Sequence, residues 1–218
     1  MAGAKLIDAN IVVLAETHNP TIPSRDWLCN KGVFSPEDFV GEFEKQFVHT
    51  PAFATCETPH FRFFVDESRL QIGAKLSSND VCPGSLVDKV QRYVESLPET
   101  RYTAVGFNFI HSAQFATTQD RAQFAAQRLN ADGVLLAMGL ERQPVEIGLI
   151  LVWRDQHSRL RAVIEPKGDE ENVYMAQTNV HYVVAKEANV VEAVVAHLQR
   201  FDRFREDVEG RLASLFDL

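Results

Sequence analysis

Phe63-Phe64-Val65-Asp66-Glu67-Ser68-Arg69-Leu70-Gln71-Ile72 is the stretch on which the fold turns. An alternating apolar run stops at an Asp-led polar turn and resumes on the other side, the pattern of two antiparallel strands joined tightly. Leu151 to Ala162 repeats it, with Asp155 opening the turn and the same Ser-Arg-Leu letters, 158–160, closing it. Each half of the chain then supplies another strand-like run and an amphipathic helix. The chain therefore reads as one sheet-and-helix domain, 1–218, divisible into halves 1–130 and 131–218 that share the sheet and carry a loose internal duplication.

Outward from these hairpins, Leu6 to Leu14 alternates as a strand with both faces apolar, which predicts cover on both sides. Thr17 to Gly32, with two prolines and two asparagines, reads as a loop. Three helix starts follow. Ser35-Pro36-Glu37-Asp38, Ser85-Leu86-Val87-Asp88 and Thr117-Thr118-Gln119-Asp120 each set a hydroxyl three residues before a carboxylate, predicting helices over 36–48, 85–97 and 118–129. Strands are expected at 60–66, 69–76, 101–112, 145–154, 158–165 and 172–185. Residues 130–144 are too apolar for a free linker and are expected to be packed. From Asn189 to the end, Val190, Val194, Leu198, Phe201, Val208, Leu212 and Leu215 recur at helical spacing, predicting one long amphipathic helix. Short connections between successive strands favour a mainly antiparallel sheet packed by helices, an α+β fold.

The formal charge of −8 opposes direct binding to nucleic acid or anionic lipid, which needs clustered cations. The longest apolar runs are too short to span a bilayer. Residues 1–15 lack the pattern of a secretory leader, and three widely spaced cysteines suit a reducing compartment, so a cytoplasmic setting is expected. Fifteen Phe fall mostly on inward faces and read as core.

No nucleophile with a recognisable base, no metal-ligand spacing and no glycine-rich phosphate loop is present in the sequence, so neither metal nor cofactor is expected. Cys82, just before a helix start, is the one cysteine placed for reactivity, and a buried, inert role is the default for it. Arg69 and Arg159 fit a repeated anion clamp, but ordinary turn chemistry accounts for both. The most suggestive polar set is Asn108 and His111 on one strand with Asn179 and His181 on another. On the later strand Met175, Gln177, Asn179 and His181 share a face. Asn108 and His111, three apart, point to opposite faces. If the shared face is concave it lines a ligand pocket; if flat it is a solvated sheet surface. Two functions follow. The favoured one is a non-enzymatic interaction subunit binding another protein or a copy of itself. The alternative is a small-molecule-binding protein or enzyme using those four residues.

Overall fold

The fold was analysed in a computed structural model, which describes residues 3–39, 46–76, 84–139, 146–154, 156, 158–168, 170, 172–184 and 189–216. Nine strands form one antiparallel sheet. They are β1 (Ala4–Ala15), β2 (Val48–His49), β3 (Phe53–Glu57), β4 (Phe61–Asp66), β5 (Arg69–Lys75), β6 (Tyr102–Gln114), β7 (Leu149–Arg154), β8 (Ser158–Pro166) and β9 (Val173–Val183). Their order is β2-β3-β4-β5-β1-β6-β9-β8-β7. The helices are α1 (Arg25–Asn30), α2 (Gly84–Glu95), α3 (Thr118–Arg128), α4 (Ala131–Met138), α5 (Val190–Leu198) and α6 (Phe201–Phe216).

The topology repeats. A long strand leads through a helical segment to a meander whose last strand returns beside it, and a helix follows. The first unit runs from β1 to α2 and the second from β6 to α6, with β1 and β6 paired at the centre. The hairpins that share letters are not equivalent in this scheme. β4–β5 closes the first meander, whereas β7–β8 opens the second; the counterpart of β4–β5 is β8–β9. The common Ser-Arg-Leu therefore does not mark equivalent strands. In the first turn the Asp66 carboxylate accepts from the Ser68 amide and hydroxyl, both at 2.8 Å, and from the Arg69 amide at 2.9 Å.

The core lies on one face. Ile11 and Val13 of β1, Leu70 and Ile72 of β5, and Phe107 and Phe109 of β6 pack under Leu86, Val90 and Tyr93 of α2 and Val194 and Leu198 of α5. A second cluster on the same side joins Phe115, Phe124 and Tyr174 to Val208, Leu212 and Phe216 of α6. Each such side chain withdrawn from water contributes roughly 1.5–3 kcal/mol against the entropy of ordering the chain.

The terminal helical segment is interrupted by a turn at Gln199–Arg200. A straight helix of that length would extend about 40 Å, longer than it could follow a twisted sheet. The turn drops Phe201 between the sheet and both helices, with its ring 5.2 Å from Phe107 and 5.1 Å from Phe109.

Several expectations are corrected. Residues 17–32 are not all loop: Ser24 accepts from the Trp27 amide at 3.1 Å and caps α1. The Ser35 start gives a 3₁₀ turn over Pro36–Phe39; residues 40–45 lie outside the described residues, and Val48 is already in β2. Within 130–144, α4 is a helix, but Leu136 and Met138 are exposed rather than packed. β1 is covered by helices on one face only, where Ala9, Ile11 and Val13 are buried; Asp8, Asn10, Val12 and Leu14 lie on the other. Thr117 forms the full capping box expected of it, its hydroxyl accepting from the Asp120 amide at 3.0 Å.

Candidate functional site

Strand alternation sends every second residue of the sheet to the face away from the helices. Register lines those residues up. One row of cross-strand neighbours crosses the sheet as Glu57, Arg62, Gly73, Asn10, Asn108, Asn179, Arg161 and Val152. At its centre the Asn179 amide donates to Asn108 Oδ1 at 2.6 Å, and the Asn108 amide donates to Asn10 Oδ1 at 2.7 Å. The Asn10 amide lies 3.5 Å from Asp8, whose carboxylate pairs with Arg62. The ladder is polarised, with every link donating toward that carboxylate.

Two glycines deepen this surface. Gly106 lies between Val12 and His181 in the next row, and Gly73 lies beside Asn10. A Cβ at Gly73 would come within 3.3 Å of the Asn10 side chain. The result is a shallow concavity of about 480 Å³ lined by Asn10, Asn108, Gln177, Asn179, His181 and Arg161 among others. Burial, with the Arg159 guanidinium across the strand, pushes the His181 pKa down, so its imidazole is neutral at pH 7.

Of the four residues singled out from the sequence, the fold thus gathers Asn108, Asn179 and His181. It does not bring His111 to them. His111 faces the helices and is fully buried, and neither of its ring nitrogens has a hydrogen-bond partner among the described residues. Burial, then the nearby Arg205 charge, lowers its pKa to about 4. His18 is also buried, its Nε2 3.1 Å from the Val13 carbonyl oxygen. His197 is half-buried and stacked on Tyr182, with centroids 5.0 Å apart.

Among the described residues the concavity is lined by amides, a neutral imidazole and arginine, with no cysteine, serine or lysine. Among the described residues no three His, Cys, Asp or Glu side chains converge as metal ligands. Burial pushes the Cys56 thiol up to about 12 and raises that of Cys29, so neither supplies a thiolate. Cys82 lies outside the described residues.

A second feature stands at the sheet's margin. The two edges differ: β2 is two residues long, while β7 is six, Leu149-Ile150-Leu151-Val152-Trp153-Arg154. On β7 Ile150 is 60% exposed and Trp153 58%, with Leu151 and Val152 each at 49%. These residues look to both sides of the sheet. Leu151 and Trp153 point to the helix side, opposite Ala162 and Leu160; Ile150 and Val152 point to the other, opposite Val163 and Arg161. Beneath the helix side runs an apolar groove of about 400 Å³, lined by Leu151, Trp153, Leu160, Phe204 and Val208, with Asp207 and Arg211 beside them. The sequence marks β7 as a strand but not as an edge, because strand order depends on connections that close far along the chain. Its only local signal is that both alternate faces are apolar, which equally describes a central strand.

No protein-family model matches this chain, and no curated protein is similar to it in sequence.

Proposed function

We propose that this protein is a non-enzymatic interaction subunit that binds a partner polypeptide by strand addition along β7. The observation that carries the reading is the edge itself. A long, apolar terminal strand leaves alternate backbone amides and carbonyls without a neighbour among the described residues, and edges of this kind are ordinarily blunted by charge, proline or a bulge. β7 has its single charge at the last residue, Arg154, and none of the other devices. Its four exposed apolar side chains would bury area on both sides of an added strand, at roughly 25 cal/mol per Å² before the entropy of association.

The test is a photo-crosslinking amino acid in place of Ile150, introduced in the protein's own cell, with the same probe at exposed Glu99 as the control. An adduct with a polypeptide at position 150 and not at 99 supports the reading, and its loss with Leu151→Pro ties it to the strand edge. No polypeptide adduct at 150 refutes it.

A second reading, a small-molecule pocket, is favoured by the Asn10–Asn108–Asn179 ladder with His181 above two glycines. Native mass spectrometry of protein purified from its own cell decides it. A retained small ligand, lost on Gly106→Val, supports the pocket; an unliganded mass together with the crosslink supports the edge.

A further inference from the structure

β7 and its neighbour β8 present chemically different surfaces on the two sides of the sheet. Toward the helices lies the apolar groove over Phe204 and Val208. On the opposite face, register places Arg154 across from Arg159 and Val152 across from Arg161. All three arginines are exposed, and none has a carboxylate partner among the described residues. Three cations without a carboxylate partner among the described residues, at one edge of a chain carrying a net charge of −8, make a local positive field. The carboxylate on this face of β8, Glu165, lies four residues from Arg161 and so at the far end of the strand from the arginines.

From this two-sidedness we propose the occupant of the edge: an extended segment of another protein that alternates acidic and apolar residues. The inference rests on the strand-addition reading above and gives that partner its chemistry. Side chains of an added strand alternate between faces with period two. One set drops into the groove beside Leu151 and Trp153 and must be apolar. The other lies beside Ile150, Val152 and Arg154. An acid opposite Val152 has Arg154 on its diagonal, and it faces Arg161 across a side chain short enough for the guanidinium to reach over.

The same charges disfavour a second copy of this chain as the occupant. Antiparallel pairing of two β7 strands about a two-fold axis keeps equivalent faces on the same side. It would therefore bring two sets of Arg154, Arg159 and Arg161 together on one surface, with no carboxylate of the described residues between them.

The experiment uses the full chain and three fluorescein-labelled ten-residue peptides, Val-Glu, Val-Ser and Val-Lys alternations, read by fluorescence anisotropy. The Glu peptide is expected to bind about tenfold more tightly than the Ser peptide. Its affinity should fall as salt is raised, and binding should vanish when every peptide residue is N-methylated. The double variant R159E/R161E should reverse the order, favouring the Lys peptide. Equal binding of all three overturns the acidic preference while leaving strand addition standing. No binding by any of them up to about 1 mM overturns the inference as well, and the crosslink at position 150 then judges the broader reading separately. A concentration-dependent dimer in sedimentation, dissociated by Val152→Asp, would also overturn it, by assigning the edge to a second copy.

Discussion

His111 makes the fold's stability depend on pH in a direction that can be worked out. In the native state the imidazole is fully buried and its pKa lies at about 4, lowered by burial and by Arg205, against 6.5 when the chain is unfolded. The unfolded state therefore binds the proton more tightly. The stability that follows is fully present above pH 6.5 and is lost as the pH falls toward 4. At about 1.4 kcal/mol per pH unit the whole drop is worth about 3 kcal/mol, of which about 2 is already lost at pH 5. The perturbation is His111→Leu, which removes the titration while retaining an apolar side chain of similar reach. The assay is urea denaturation of both proteins at pH 7.5 and pH 5. Other groups titrate in both, so the difference of differences isolates His111. The wild type should lose about 2 kcal/mol more than the variant over this interval. Equal losses would mean that His111 is charged or solvated in the native state, and the packing described for β6 under α6 would be wrong.

Other consequences can be checked by denaturation and by the crosslink. Phe201→Ala should cost about 3–5 kcal/mol, because the ring fills the corner between α5, α6 and two strand phenylalanines; a loss below about 1 kcal/mol would show that the corner is not packed. Thr117→Ala should cost about 1 kcal/mol through loss of the α3 capping box, and Thr117→Ser should restore it. Asn108→Leu breaks both links of the amide ladder on a half-buried face and should cost about 1 kcal/mol. Val152→Lys should leave stability within about 0.5 kcal/mol while abolishing the crosslink at position 150, since its side chain is half-exposed.

Much of this architecture was legible in the residues themselves. Period-two alternation gave β4 to β9, the Thr117 start gave α3, and the apolar stripe after Asn189 gave the terminal helices, although nothing local in Leu198-Gln199-Arg200-Phe201 marks the turn between them. At 36–39 and at Val48 a helix was expected because Ser35-Pro36-Glu37-Asp38 carries the cap chemistry of a helix start. That chemistry is satisfied equally by a 3₁₀ turn, in which the Asp38 carboxylate accepts from the Ser35 amide at 2.8 Å. Both-sided apolarity misled twice. In β1 it suggested cover on both faces where one is open, and in β7 it concealed an edge. The polar set divided as strand geometry requires. Asn179 and His181, two apart, share a face with Asn108, while His111, three residues further on, turns into the core. What no local pattern conveys is strand order. That order sets the arginines of β8 beside an apolar edge strand.

Hydrogen exchange along β7 bears most directly on this account. In the isolated chain about half of the amides from Ile150 to Arg154, those turned away from β8, should exchange far faster than the amides of β9. Saturation with the acidic alternating peptide should slow them to rates like those of β9. Amides of β7 that are already as protected as those of β9 in the isolated monomer, or that are unchanged at saturating peptide, would contradict it.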